Sequence, residues 1–203
     1  NIEVGGRYQR DDLLIELIAF SSDYANLVGE CTASSSTSDC DIGDQFNGGK
    51  ASVQGLEFQF SNHYSLSDMT TLPVSVVYTY TDAEFNSTFG GEFFGDVTKG
   101  DPIPYIPENQ LALTAGLEHG AYQLNVSLNY VDAVCVKASC EGFEKTEAST
   151  VLDVVGHYQV SDRLGVFLQV ENLTEEADIV ARQPKGARPN KPRTATIGLR
   201  YDF

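Results

Sequence analysis

Apolar and polar positions alternate through most of this chain with the two-residue period of a half-buried strand. The terminal run is unbroken: Ala195, Ile197, Leu199, Tyr201 and Phe203 share one face, and Thr196, Gly198, Arg200 and Asp202 the other. Eight earlier segments follow suit. Ile2, Val4 and Tyr8 oppose Glu3, Arg7 and Gln9, and from about Leu13 to Leu27 Glu16 stands opposite Ile15 and Leu17. Leu56, Phe58 and Phe60 oppose Gly55, Glu57 and Gln59, while Leu72, Val74, Val76, Tyr78 and Tyr80 oppose Ser75, Thr79 and Thr81. Leu111, Leu113, Ala115 and Leu117 face away from Ala112, Thr114, Gly116 and Glu118. Tyr122, Leu124, Val126, Leu128 and Tyr130 alternate with Gln123, Asn125, Ser127 and Asn129. Leu152, Val154 and Tyr158 oppose Asp153, His157 and Gln159. Leu164, Val166, Leu168 and Val170 oppose Gln169 and Glu171, with Phe167 interrupting the polar side.

Charge decides what the apolar faces meet. Glu3, Arg7, Glu16, Glu57, Asp153, Glu171 and Arg200 all lie on polar faces. A charge on a lipid-facing strand costs up to about 2–4 kcal/mol at the bilayer midplane, which would enforce this partition. A β-sandwich with one solvated face would show it too. Two further features favour a membrane. Tyrosine closes apolar rows, as at Tyr122 and Tyr130, where amphipathic rings suit the membrane interfaces. Connections also alternate in length. Short turns fall near Gln9–Asp12, Ser65–Thr70, His119–Ala121 and Ser161–Arg163; long ones cover roughly Val28–Asn47, Asn86–Pro104, Val134–Ala148 and Thr174–Lys191. Outer-membrane barrels have short periplasmic turns and long outer loops, whereas a sandwich has no reason to lengthen every second connection. The expected fold is therefore an all-β, antiparallel transmembrane barrel, with Ile197, Leu199, Tyr201 and Phe203 as its closing-strand signal. Bacterial single-chain barrels have even strand numbers, so nine strands are read as the C-terminal part of a larger one.

Composition adjusts this picture without reversing it. The 203 residues are 41% hydrophobic, and no apolar run approaches the roughly 18 residues of a membrane helix. A net charge of −16, from 29 acidic against 13 basic residues, argues against a nucleic-acid partner. The chain opens on Asn1 inside a strand without a signal peptide, so the protein's start is expected to lie upstream. Four cysteines permit three pairings. Cys31 with Cys40 and Cys135 with Cys140 each share one loop, which favours local disulfides and an oxidising compartment.

No covalent chemistry is indicated. There is no Gly-x-Ser-x-Gly elbow, no phosphate-cradling glycine loop and no histidine pair at ligand spacing. His63, His119 and His157 stand apart as turn or lumen residues, and the acidic loop with Glu30, Asp39, Asp41 and Asp44 reads as solvated. Asn86, Asn125 and Asn172 head glycosylation-like triplets, discounted in a bacterial barrel. The polar group that stands out is basic. Arg182, Lys185, Arg188, Lys191 and Arg193 fall within twelve positions of an otherwise acidic chain. Arginine's planar fork suits carboxylates, so this cluster, with Lys99 as a weaker candidate, is expected to contact an anionic substrate. Lipopolysaccharide phosphates would draw the same residues.

The runs Tyr78–Phe85, Lys99–Glu108 and Gly48–Glu57 resemble the late barrel strands of TonB-dependent outer-membrane receptors. So do Val170-Glu-Asn-Leu-Thr174, Arg193-Thr194 and the terminal Phe203, and within the family the ferric-dicitrate group is most similar. The resemblance covers essentially the whole chain. It implies a 22-stranded barrel around a globular plug, these strands being the last nine, with plug and TonB-binding segment upstream. It also implies uptake of a ferric chelate, with ferric citrate the first choice, across a Gram-negative outer membrane. Iron would travel as chelated substrate with no cofactor, and the inner-membrane TonB complex, the bilayer and lipopolysaccharide would be partners. A passive porin and a β-rich adhesin or secreted binding domain are the alternatives.

Overall fold

The computed structural model describes residues 1–30, 41–91, 95–140, 142–182 and 186–203. Its main body is one antiparallel sheet of nine strands in chain order. These are β1 (Ile2–Arg10), β2 (Leu13–Tyr24), β3 (Ala51–Ser67), β4 (Thr70–Phe85), β5 (Asn109–His119), β6 (Tyr122–Val131), β7 (Ser149–Ser161), β8 (Leu164–Glu171) and β9 (Thr194–Tyr201). Each strand pairs with its sequence neighbours, and β1 and β9 form the two edges of an open, partial barrel wall.

Register carries the alternation of each strand across the sheet, because directly paired residues point to the same side. Val4 pairs with Ala19, Ala19 with Leu56 and Leu56 with Tyr80. Leu111 pairs with both Tyr78 and Tyr130. On the opposite side Arg7 pairs with Glu16, Glu16 with Gln59 and Ser127 with Asp153. The apolar rows thus merge into one surface and the charged rows into another. Ile197 and Leu199 are 75% and 72% exposed, an apolar expanse that only lipid or protein could cover.

Two tyrosine belts bound that surface. Tyr8, Tyr64, Tyr122, Tyr158 and Tyr201 lie near the short turns, and Tyr78, Tyr80 and Tyr130 near the long loops. Eight steps separate Tyr122 from Tyr130, about 27 Å along the strand. A strand tilt of about 40° reduces this to roughly 20 Å of membrane depth, close to the apolar band of known barrels. β3 and β4, at 17 and 16 residues, exceed what a span needs. Their excess projects past Tyr80, which explains why Asp82 and Glu84 can continue the lipid-side row. At that level Gln54 donates to Asp82 at 2.9 Å.

The irregular polar face of β8 has a packing cause. Phe167 pairs with Gly198, where a Cβ would lie 2.3 Å from the ring, so the glycine makes room for an aromatic on the inner wall. The long connections are more structured than alternation predicts. β2 ends at Tyr24 rather than near Leu27, and three connections carry short hairpins: Val28–Glu30 with Gln45–Asn47, Phe89–Gly91 with Gly95–Val97, and Ile179–Ala181 with Arg188–Pro189. The third connection carries a 3-10 turn at Gly142–Glu144.

Candidate functional site

The inner wall and the loops at its mouth are the surfaces able to meet a solute. Along the wall Glu3, Arg7, Glu16, Glu57, Asp153 and Arg200 stand among Ser75, Thr114, Ser127 and Thr196. The Arg7 guanidinium pairs directly with the Glu16 carboxylate. Short hydroxyl and amide side chains in the middle strands keep this wall shallow.

Above it, the four long connections join into one layer. The connection over 25–50 meets that over 86–108 where Lys50 N–H donates to Ser87 Oγ and Asn86 N–H to the Lys50 carbonyl. Phe85, Ala51, Val97 and Ala138 form a buried core there, flanked by Leu27, Phe89 and Ile103. Tyr105 N–H donates to the Cys135 carbonyl, linking the second connection to the third. Glu147 and Ile179 exchange two bonds, the second from Ile179 N–H to the Glu147 carboxylate at 2.7 Å, linking third to fourth. Cys135 and Cys140 form the expected local disulfide. Cys31 and Cys40 lie outside the described residues.

At the base of the third connection, the Asp132 carboxylate accepts the Tyr130 hydroxyl and two N–H groups of Asn109. These bonds, the Tyr130 one foremost, hold its pKa below the usual carboxylate range despite partial burial. Asn109 in turn accepts from the Tyr78 hydroxyl at 2.6 Å.

Asn172 closes the fourth connection. It is 1% exposed, its amide donates to the Glu176 and Lys191 carbonyls at 2.8 Å, and its oxygen accepts Glu176 N–H. Its φ of 50° lies in the left-handed region that asparagine tolerates. Its glycosylation-like triplet, discounted above, gives no hint of this role. The signal was an asparagine directly at a strand end, where chain reversal calls for that backbone shape.

The basic cluster does not gather into one cradle. Lys191 pairs with Glu171 at 2.6 Å and Arg193 with Glu175 at 2.7 Å. Arg182 donates to the Lys145 carbonyl at 2.7 Å and lies over the Phe143 ring. Arg188 is exposed and makes no ion pair among the described residues. Lys185 lies outside them. Lys99 sits apart in the second connection, its backbone N–H bonded to Thr88. His119 is at a turn, bonded to Thr70 at 2.8 Å, and His157 lies on the inner wall against Gly165. Among the described residues no group of histidine, cysteine and carboxylate side chains could hold a metal.

Solved structures share this arrangement. The siderophore receptor PiuA from Acinetobacter baumannii superposes with a TM-score of 0.74 at 17% identity, covering 98% of this chain and 28% of that one. The ferric citrate transporter FecA matches with a TM-score of 0.69 at 18% identity, over 98% and 30%. The copper transporter OprC matches with a TM-score of 0.65 at 16% identity, over 99% and 30%. Identities this low establish the fold, and the chain spans less than a third of each protein. A comparison with curated proteins by sequence gives no match. Residues 1–173 match the family described as TonB dependent receptor-like, beta-barrel, and the chain accordingly belongs to this outer-membrane family as part of its barrel wall.

Proposed function

We propose that the receptor containing this chain imports a ferric chelate across the outer membrane, with energy from an inner-membrane TonB complex engaged by parts of the protein outside this chain. The observation carrying the reading is the division of labour in a family member: an apolar outer surface, a charged inner wall and four interlinked connections at its mouth. Ferric citrate is the first ligand to test, since its carboxylates match guanidinium geometry. Arg182, Lys185, Arg188, Lys191, Arg193 and Lys99 are the proposed contacts. Arg188 leads because it is exposed and, among the described residues, has no carboxylate to leave. Lys191 and Arg193 would exchange Glu171 and Glu175 for the ligand, a swap that weakens net binding. Lipopolysaccharide is the proposed neighbour of the outer loops.

The test is iron-limited growth and labelled-iron uptake by a strain lacking the receptor and complemented with the full-length gene. Uptake restored with ferric citrate, and binding weakened roughly tenfold by Arg188→Ala, is the expected result. A purified full-length receptor that binds no ferric chelate in calorimetry refutes the reading.

A further inference from the structure

On the outer, bilayer-facing surface, side chains form rows across the strands. One row reads Leu117, Leu124, Gly156, Leu168 and Ile197 from β5 to β9. The glycine leaves a notch of about 440 Å³, walled by these aliphatic neighbours and Val166. Tyr122 and Tyr158 form its foot, their rings stacked with centroids 4.5 Å apart.

Packing within the chain does not demand this glycine. A Cβ at Gly156 would meet nothing closer than Leu124 Cδ1 at 4.0 Å. At Gly55, Gly116 and Gly198, on the inner wall, it would come within 2.1, 2.7 and 2.3 Å of another atom. Nor is Gly156 in a left-handed backbone, so the position would accept a larger residue without strain. The open space therefore invites an occupant from outside the chain.

We propose that the Gly156 notch seats one acyl chain of a phospholipid in the membrane leaflet on the short-turn, periplasmic side. The strands bearing Leu124 and Leu168 are two spacings apart, about 9.6 Å, so the missing side chain between them leaves a slot about one hydrocarbon chain wide. The side chains flanking the glycine on this face are aliphatic, as an acyl chain requires, while Gln123, His157 and Phe167 at the alternate strand positions complete the lining. The foot is a tyrosine pair on the side of the short turns, where amphipathic rings sit at headgroup level. His119, pinned by Thr70, lines the same end and offers a polar edge to a headgroup. A second protein is the weaker fit. Stable protein interfaces bury roughly 1,200 Å² or more, and this recess is a single residue wide. The inference depends on how the wall faces the bilayer and is independent of the cargo, so loss of chelate uptake and loss of lipid are separate results.

The experiment uses the full-length receptor extracted from outer membranes in mild detergent, with retained phospholipid counted by native mass spectrometry. Gly156→Leu should fill the slot and lose a phospholipid that the wild type keeps through detergent exchange. Leu152→Phe, on the same face nearer the long loops, should keep it. Heat-dependent migration on a gel confirms that each barrel is folded. Should the leucine variant fail to insert, Gly156→Ala reads the same loss in smaller measure. Equal retention in wild type and filled variants overturns the proposal. So does a receptor dimer that only the wild type forms, which would give the notch to a second copy.

Discussion

Across the membrane-spanning part of the sheet both faces stay open, yet at its outer end Phe85, Val97 and Asn172 are 0%, 1% and 1% exposed. The spanning wall is held by ladder hydrogen bonds and by the lipid against its apolar rows. The outer layer is held as a small soluble domain is, by an apolar core, a disulfide and a buried amide. Sheet and loops should therefore fail separately, and each can be damaged with the other as the control.

The largest expected effect is at the loop core. Phe85→Ala should cost about 3–5 kcal/mol there and expose the connections over 25–50 and 86–108 to protease. The strands, read by hydrogen exchange in detergent, should keep their protection; a collapsed barrel would erase the distinction between the two regions. The converse test targets the wall. Val126→Lys, midway between the two tyrosine belts, puts a charge on the lipid side at a cost of about 2–4 kcal/mol and should block assembly, whereas Ser127→Lys, one residue away on the inner side, should assemble. Equal assembly of the pair would dissolve the assignment of faces.

Asn172→Ala removes three buried side-chain bonds and an asparagine from left-handed backbone. About 2–3 kcal/mol of local stability should go, read as faster exchange over 173–182 and 186–193. Reducing Cys135–Cys140 should loosen the third connection by about 2 kcal/mol on the chain-entropy account, and with it the contact Ala138 makes in the shared core.

The smallest effect is with pH. Asp132 titrates below its ordinary 3.8, chiefly because Tyr130 and Asn109 bond its ionised form. A carboxyl depressed in the folded state contributes stability above its unfolded pKa and loses it as pH falls through the folded value. Protection at Asn109 and Asp132, relative to the intrinsic exchange rate at each pH, should thus be flat from neutral pH down to about 5 and fall below about 4. Asp132→Asn should flatten that fall.

The two-sidedness of the wall is already written in the order of residues. Glu16, Glu57, Asp153 and Arg200 fall opposite the aliphatic rows because hydrocarbon rejects charge at every residue separately, so the rule is written locally, one alternation at a time. Turn placement was legible for the same reason. The candidate site was less so. The basic residues of the last connection were visible, but pairing of Lys191 with Glu171 and Arg193 with Glu175 depends on how that connection folds back. Only the tertiary structure brought Ala51, Phe85, Val97 and Ala138 into one core, gave Asn172 its three partners and left Gly156 as a gap between two leucines. Each of these joins residues that no short-range period relates, and cross-strand register and chain reversal decide which of them meet.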